Sequence, residues 1–484
     1  MIRLFLSERN INFAVCRGCK VTNNLFYCKF SLIIDITSVE FKKNRLWRLS
    51  MRKRLLAAVL AVLILFAGIF PAGAQPVVSA KQDIAVFALG YYGWFIPSQA
   101  LGTIDLRIQQ VFSNIGRFTV FGTAQRLSSA GVQQFIDALR QAKQANFVLP
   151  EKYQFGEAFL TKAEFERLTG AFIVVVPVVT NFAVYWDSKA GSWNCNITTG
   201  VTFIDATGGT VISIESIDTS GSDKTNQNNA VMSAINSIPS ELEYRIRAIP
   251  AFQISTRILE AKGSRVKIQL GSNMGLKKGD EYAIVTKQTI GGIEDSKETG
   301  LILITDVSQQ LSMGRVLYRS GALDGNTQLK EIARRGTDLD LYFNMSGGES
   351  LPGLRATVSR GFYPLRPYIG IQMPLGLAFN FLTVTVIPVN AIFGAEFMLP
   401  MGRLHVAPYA GVGFTYAHLT EAISGYENDY LSHFGFQAGG RFGYLLSRDM
   451  RVFVDAGLDY WLSLGWPFND YGGVTIGAGI SFKL

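Results

Sequence analysis

Histidine and cysteine are scarce in this chain, with 3 and 4 residues among 484. All three histidines, His405, His418 and His433, lie beyond residue 400. The long region before them therefore cannot supply a Ser-His-Asp or Cys-His nucleophilic centre. No spacing singles out a carboxylate pair for acid–base chemistry either. His418 and His433 flank one segment, but two unrelated histidines are favoured over a metal site. We predict no enzyme activity, no catalytic residue and no metal.

Long apolar runs are also scarce. One such run, 55–70, follows three basic residues and precedes Ala72-Gly-Ala74, which is the order of a secretory signal peptide. The run is shorter than the roughly 20 residues that a membrane-spanning helix needs, and it stops at Pro71. A signal peptide at 51–74 is therefore favoured over an anchor. We expect residues 1–50 to be a mis-called upstream extension.

Net charge disappears when the predicted signal is removed. The whole chain has a formal charge of +9 and a pI near 9.2. Residues 1–74 hold 12 of the 46 Lys and Arg residues and 3 of the 37 Asp and Glu residues, so their removal leaves 34 of each. The case for a nucleic-acid partner is lost with them. Of the cysteines only Cys195 stays, which excludes an internal disulfide. With no further apolar run of 18 residues, an inner-membrane helical protein is excluded as well.

What the sequence does contain is regular alternation near its end. In 473–484, the residues Val474, Ile476, Ile480 and Phe482 share one face, whereas glycine, threonine, serine and lysine share the other. Side chains of a strand alternate between its two faces. A strand of about ten residues with one apolar and one polar face is typical of a transmembrane β-barrel. A strand of a water-soluble sandwich also alternates, so repetition upstream has to decide.

The pattern repeats upstream, where 452–462 places Val452, Val454 and Leu458 on its apolar face and 434–446 places Phe442 there. We predict eight strands at about 337–345, 353–361, 365–373, 391–399, 404–416, 434–446, 452–462 and 473–484. The turns predicted on one side are short and lie at 362–365, 400–403 and 447–450. The loops predicted on the other side are longer and lie at 346–352, 374–390, 417–433 and 463–472. An even strand number with this asymmetry is typical of outer-membrane barrels. The apolar loop at 374–390 leaves ten strands as an alternative.

The same alternation places five charged residues in the barrel interior, namely Glu396, Arg441, Arg451, Asp455 and Asp459. If the turn at 447–450 is tight, Arg441 lies beside Asp455 on the next strand. On the lipid side each charge would cost about 2–4 kcal/mol near the midplane. An eight-stranded barrel has an interior just wide enough for side chains to fill. A salt-bridged plug is therefore favoured over a narrow selective pore, which stays open as the alternative.

With this strand rhythm and its terminal aromatic, the segment 336–484 resembles the small outer-membrane barrels of the OmpA, OmpX and OmpW type. The resemblance implies an eight-stranded antiparallel transmembrane β-barrel in a bacterial outer membrane. Outer-membrane lipid is then a partner, and the preceding domains lie in the periplasm.

Residues 75–252 read as an α/β domain. Strand patterns such as 84–89 and 117–121 alternate with helical spacing, Gly116 closes one helix, and a last helix spans about 226–249. The stretches Ile84-Ala-Val-Phe, Gly116-Arg-Phe-Thr-Val, Gln125-Arg-Leu and Val201-Thr-Phe-Ile-Asp-Ala-Thr-Gly resemble the CsgG-like periplasmic fold, which is related to the N-terminal domain of TolB. The chain departs from CsgG in lacking the lipid-bearing cysteine and an obvious pair of long amphipathic hairpins.

Residues 253–335 read as a small β domain. The glycine-spaced stretch 265–285, with turns at Gly275 and Gly279, resembles the SH3-like C-terminal domain of the flagellar protein FlgT. These glycines are turn residues rather than a phosphate-binding loop, because neither phosphate-binding glycine pattern occurs here. We predict an exposed loop at 286–300 and no cofactor.

The predicted fold class is therefore multidomain, with a periplasmic α/β domain, a small SH3-like β domain and a C-terminal barrel. The leading hypothesis is a non-enzymatic outer-membrane protein with a structural role in the envelope, whose periplasmic domains bind a protein partner or self-associate. The alternative is a small outer-membrane pore, or a component of an export assembly with ring-forming CsgG-like domains.

Overall fold

The computed structural model describes residues 78–91, 96–127, 129–142, 151–155, 158–170, 173–290, 293–325, 327–378, 386–419, 429–465 and 469–484. The predicted extension at 1–50 and the predicted signal peptide at 51–74 lie outside these residues. Within them, no helix combines the length and the hydropathy that crossing a membrane requires.

The first region is a mixed sheet with helices on both faces. Its elements are β1 (Gln82–Ala88), β2 (Gly90–Tyr91), α1 (Ser98–Asn114), β3 (Phe118–Arg126), α2 (Ser129–Gln141), β4 (Lys152–Phe155), β5 (Ala158–Thr161), α3 (Lys162–Gly170), β6 (Ile173–Asp187), β7 (Ser192–Asp205), β8 (Thr210–Asp223) and α4 (Gln227–Ala248). The main sheet runs in the order β3-β1-β6-β7-β8, parallel across β3, β1 and β6 and antiparallel from β6 to β8.

Two apolar clusters hold this sheet between its helices. On one face Ile104 of α1 and Leu242 of α4 pack with Phe203 of the sheet, and all three are fully buried. On the other face Phe135 of α2 and Phe165 of α3 pack edge to face, with ring centroids 6.0 Å apart. Buried apolar side chains of this size are the main stabilising term of such a layered core.

The second region is a small closed barrel of six strands. These are β9 (Ser255–Lys262), β10 (Arg265–Ile268), β11 (Glu281–Ile290), β12 (Ile293–Val307), β13 (Ser312–Arg319) and β14 (Gln328–Ile332), paired in the order β10-β13-β12-β11-β14-β9. Val266, Ile284 and Ile302 lie in its core. The prediction of an exposed loop at 286–300 is wrong, because residues 286–290 and 293–300 belong to the paired strands β11 and β12. Residues 295–298 are exposed, so this stretch has no apolar face to mark it as strand.

The third region is a closed antiparallel barrel of eight long strands, as the sequence predicted. Its elements are β15 (Thr337–Ser346), β16 (Glu349–Val358), β17 (Leu365–Gln372), α5 (Leu375–Ala378), β18 (Val386–Phe397), β19 (Leu399–Met401), β20 (Leu404–Leu419), β21 (Asp429–Leu445), β22 (Met450–Ser463) and β23 (Tyr471–Lys483). Pairing of β15 with β23 and of β18 with β20 closes the ring, and the short β19 adds to β20. The alternative of ten strands is therefore wrong.

The connection between β15 and β16 is shorter than predicted. The loop expected at 346–352 is a two-residue turn, because β15 runs to Ser346 and β16 starts at Glu349. Gly347 and Gly348 have φ values of 55° and 93°. A two-residue hairpin turn with positive φ at both central positions requires residues of this kind. The glycine pair therefore lets both strands continue to the tip.

Backbone contact joins the first two regions. After α1 the chain turns at Gly116, whose φ of 78° is typical of a residue that ends a helix. This turn meets Gly275 of the small barrel so closely that a Cβ at Gly275 would lie 1.8 Å from the carbonyl oxygen of Ile115. The two regions therefore meet at glycines because neither position has room for a side chain.

Candidate functional site

The two faces of the large barrel have opposite character. On the outer face Val474 and Ile476 are 71% and 67% exposed. The other residues predicted to face lipid lie on the same outer face. Val452 is partly exposed. The rest are exposed, namely Val454, Leu458, Ile480, Phe482 and Phe442. The five predicted interior residues, Glu396, Arg441, Arg451, Asp455 and Asp459, are at most 3% exposed. The barrel thus has a broad apolar surface and a charged interior.

Two names are used below for the ends of this barrel. The docked mouth is the end beside the six-stranded barrel, where Arg334, Asp449 and Lys483 lie. The free mouth is the opposite end, where the Gly347–Gly348 turn lies.

Four arginines and four carboxylates pair inside the barrel near the docked mouth. Arg441 binds Asp455 through two parallel bonds, Nε–Oδ1 at 2.7 Å and Nη2–Oδ2 at 2.8 Å. This pairing across β21 and β22 confirms the prediction made from the tight turn. Arg441 also reaches Asp340, which in turn binds Arg355 at 3.1 Å. Two-point contacts of this kind are the stronger arginine–carboxylate geometry.

The remaining pairs extend the same network toward the docked mouth. Glu396 accepts from both Arg355 and Arg366, the first at 2.6 Å. Asp338 accepts from Arg366 at 2.6 Å and from Arg451 at 2.8 Å. Each of these side chains is at most 5% exposed. Four positive and four negative charges therefore balance within one buried network.

Sequence reasoning missed four members of this network, namely Asp338, Asp340, Arg355 and Arg366. Asp338 and Asp340 occupy alternate positions of β15, so the period of two could have assigned them to the interior. The apolar alternation of β15, β16 and β17 is weaker than that of the last strands, so the sequence did not reveal which of their charged residues face inward.

Aromatic rings pack against the ion pairs inside the barrel. The guanidinium carbon of Arg355 lies 4.5 Å from the ring centroid of Tyr368, and that of Arg441 lies 3.4 Å from the ring of Phe453. Such stacking stabilises a desolvated guanidinium. Tyr409 is also within 5.8 Å of Arg355. The described interior at this level is therefore filled by side chains.

Toward the free mouth the interior is hydrogen-bonded rather than ion-paired. Asp459 accepts from the indole Nε1 of Trp461 and, at 3.1 Å, from the amide of Gln372. Trp461 stacks on Tyr471, with rings nearly parallel at 6° and 5.9 Å apart. The hydroxyl of Tyr471 donates to Asn390 at 2.9 Å. In the described interior of this half, Asp459 thus lies among neutral polar and aromatic groups.

The docked mouth is held by charges from the six-stranded barrel. Glu281 at the start of β11 accepts from Arg334 at 2.7 Å and from Lys483 of β23. Arg334 also donates to Asp449 and to the carbonyl oxygens of Arg448 and Lys483. Burial alone would raise the pKa of Glu281, but Lys483 and Arg334 hold it below its usual value. Glu281 is therefore charged and fixes one barrel to the other.

Little free space is left at this mouth. A cavity of about 20 Å³ lies among Arg334, Arg360, Arg451 and Lys483, which is room for roughly one water molecule. Arg360 bonds Asp280 of the small barrel and Glu243 of α4. One arginine of the large barrel thus contacts both preceding regions.

A second buried cluster joins the α/β region to the six-stranded barrel. Glu331 of β14 accepts from Arg117 at 2.9 Å and from Arg247 of α4 at 2.7 Å. Arg247 also binds Asp280 at 3.1 Å. Burial alone would raise the pKa of Glu331, whereas Arg117 and Arg247 lower it to about 2. Breaking one partner of such a buried pair typically costs about 3–5 kcal/mol, so these pairs hold the two regions together.

The other residues considered from sequence form no such site. His433 contacts Ser432 and the carbonyl oxygen of Asn469, and its ring lies 4.9 Å from that of Tyr471. In the part of the chain that the structure describes, no group of three or more His, Cys, Asp or Glu side chains is placed to hold a metal. Cys195 is buried, and burial raises the pKa of its thiol to about 11, which disfavours the thiolate form that reacts as a nucleophile.

No family model and no curated protein matches this chain. Among solved structures, it is similar to a hypothetical protein from Chlamydia trachomatis, at 13% identity and a TM-score of 0.23, over 36% of this chain and 99% of that one. It is similar to the PelC dodecamer from Paraburkholderia phytofirmans, at 13% identity and a TM-score of 0.21, over 34% and 90%. It is also similar to Neisserial surface protein A, at 15% identity and a TM-score of 0.21, over 31% and 94%. At these TM-scores the similarities assign no family.

Proposed function

We propose that the eight-stranded barrel is a static anchor in a bacterial outer membrane and that it holds the two preceding regions as one rigid periplasmic body. The observation that carries the proposal is the contrast between the apolar outer face and the charge-balanced interior. Strands with apolar residues outside and polar residues inside are typical of membrane barrels. The docked mouth then faces the periplasm.

A filled interior supports anchoring over transport. The ion pairs and the rings of Tyr368, Tyr409 and Phe453 occupy the barrel at the levels that a solute would have to pass. We therefore propose a non-enzymatic structural role, in which the periplasmic body binds a protein partner. The CsgG-like character of the α/β region and the FlgT-like character of the six-stranded barrel belong to this proposal.

Membrane fractionation tests the anchor. The full chain should be exported and recovered with the outer membrane. A protease recognition site inserted between β20 and β21 should be cleaved when protease is added to intact cells. Leu458→Arg puts a charge on the outer face and should reduce insertion, at a cost of about 2–4 kcal/mol. Leu458→Phe is the matched control and should insert normally. Recovery of the unchanged chain in the water-soluble periplasmic fraction would refute the proposal.

Planar-bilayer recording separates the anchor from a pore. We expect no stable unitary conductance from the refolded full chain, because the interior is filled. Reproducible single-channel steps would contradict the static anchor and favour transport.

A second candidate is an assembly of several copies, which the edge strand β8 favours. β8 ends the main sheet, is 14 residues long and carries Ile214, which is 70% exposed. Long strands at a sheet edge readily pair with another chain. Mass measurement of the detergent-solubilised chain decides the matter. A discrete oligomer, together with its dissociation by Ile214→Lys, would favour the assembly. A monomer would favour the proposal of a single-chain anchor.

A further inference from the structure

The outer face of the large barrel has an open depression near the docked mouth. Its volume is about 770 Å³ and its lining is almost wholly apolar. It extends across neighbouring strands from Leu404 of β20 to Ile480 of β23. Ligand sites in proteins typically have volumes of about 300–1,000 Å³. The depression is therefore large enough for an apolar ligand.

The depression arises from a difference in side-chain size between adjacent strands. The rings of Phe442 and Tyr444 project outward from β21, at 55% and 41% exposure. The register places Val454 and Val452 of β22 directly beside them, and Ala478 of β23 beside Val454. Two rings thus stand next to two valines and an alanine, and the smaller side chains leave space between the rings and Ile480.

An arginine lies at the end of the depression that is nearer the docked mouth. Arg403 directly precedes Leu404, and its Nη1 donates to the carbonyl oxygen of Leu445 at 3.0 Å. Leu445 in turn follows Tyr444 of the wall. The guanidinium carbon of Arg403 also lies 4.1 Å from the ring centroid of Tyr318 of the six-stranded barrel. The apolar depression therefore has a positive charge at one end.

A second arginine reaches the same turn from the six-stranded barrel. Arg315 of β13 donates to the carbonyl oxygen of Pro400, and the next residue, Met401, lines the depression. Arg315 and Arg403 are both partly exposed. In the described part of the chain, neither of them forms an ion pair with a carboxylate. Arg448 of the neighbouring turn differs, because it pairs with Glu298 at 2.7 Å.

We infer that the depression binds an acyl chain of an anionic phospholipid, whose phosphate lies at Arg315 and Arg403. The inference rests on the proposed function, in which the docked mouth faces the periplasm and the lipid belongs to the leaflet on that side. Guanidinium groups bind phosphate oxygens through charged hydrogen bonds. Basic pockets at a membrane surface recognise anionic headgroups in this way.

The charge at one end is what selects this ligand. A phospholipid joins an apolar chain to an anionic group, and the depression joins an apolar surface to two arginines in the same order. Arg315 belongs to the six-stranded barrel and Arg403 to the large barrel. One bound lipid therefore contacts both barrels and stabilises the contact between them.

Native mass spectrometry of the delipidated full chain in a non-ionic detergent tests the inference. The chain is titrated with phosphatidylglycerol and, separately, with phosphatidylcholine that has the same acyl chains. We expect one phosphatidylglycerol per chain at saturation. Phosphatidylcholine should bind about tenfold more weakly, because the two arginines repel its choline cation.

Two variants address the two parts of the site. Arg403→Gln should weaken binding of phosphatidylglycerol about tenfold, the effect of losing one charged hydrogen bond, and Arg403→Lys should restore most of the preference for the anionic lipid. Arg335→Gln is the matched control, because Arg335 is half exposed and pairs with Glu241 of α4. Ala478→Phe fills the depression with an apolar ring and should weaken binding of both lipids. Val474→Phe, on the outer face of the same strand beyond the depression, should bind lipid normally.

Three results would overturn the inference. They are equal binding of the two lipids by the unchanged chain, unchanged phosphatidylglycerol binding in both Arg403→Gln and Ala478→Phe, and a lipid-free dimer, which would make the depression an interface between copies. If any of these is found for a chain that is recovered with the outer membrane, the anchor stands and the lipid site alone fails. Recovery of the chain in the water-soluble periplasmic fraction would refute both.

Discussion

The two halves of the large barrel provide partners for their buried polar side chains in different ways. Near the docked mouth four arginines balance four carboxylates in one buried network, whereas in the described interior near the free mouth neutral amides, hydroxyls and rings surround Asp459. The ion-paired half is also the half on which the other regions rest. Buried ion pairs are therefore concentrated in the half of the barrel that contacts the other regions. Side chains in such pairs have a fixed geometry, so they resist displacement.

The largest effect should come from breaking the ion-paired half. Arg441→Met removes the partner of Asp455 and one partner of Asp340, and leaves both carboxylates buried. We expect a loss of about 3–5 kcal/mol in the free energy of unfolding. Urea titration of the refolded chain, followed by tryptophan fluorescence, measures this. A loss below that of the free-half variant described last would contradict the comparison.

A second test loosens the contact between the barrels. Arg334→Gln removes bonds to Glu281 and Asp449, although Lys483 continues to neutralise Glu281. We therefore expect a loss of about 2–3 kcal/mol, below the range for a fully broken buried pair. Limited proteolysis near residue 335 should be faster in this variant.

The neighbouring Arg335 provides the control for that test. It pairs with Glu241 but is 50% exposed, and exposed pairs contribute about 0–1 kcal/mol. Arg335→Gln should therefore be cleaved at nearly the unchanged rate. Equal acceleration in both variants would mean that local flexibility, rather than the contact with Glu281, controls cleavage.

A third test uses pH on the joint between the α/β region and the six-stranded barrel. The pKa of Glu331 lies at about 2 in the folded chain against a usual value of 4.5. A lowered pKa contributes stability that is present above pH 4.5 and is lost as the pH falls toward 2. Urea unfolding at a series of pH values, followed by tryptophan fluorescence, should show this loss. Glu331→Gln should flatten the dependence, and a pH profile that it leaves unchanged would assign the effect to another carboxylate.

The smallest effect should come from the free half. Thr415→Val removes the bond from Thr415 Oγ1 to Asn390 Oδ1, which measures 2.8 Å. Both partners are neutral, so we expect a loss of about 1 kcal/mol. Urea titration under the conditions used for Arg441→Met gives the direct comparison. A loss as large as that of Arg441→Met would show that the two halves do not differ as described.

Local patterns predicted the large barrel well, because alternation and turn length are local properties. The last strand, β23, and the pairing of Arg441 with Asp455 both followed from them. The ion pairs that join one region to another could not be predicted in this way. Arg117 and Glu331 are 214 residues apart, and no periodic pattern connects them. The β11–β12 hairpin was missed because its far end has polar residues on both faces.

The glycine contact between the first two regions has a consequence for how this chain can change. At Gly275 an added methyl group would clash with the carbonyl oxygen of Ile115. Even alanine at this position would therefore force the two regions apart. At this contact the two regions approach each other through main-chain atoms, so no side chain larger than hydrogen fits there. Substitution of this one residue would tilt one region against the other while leaving both interiors intact.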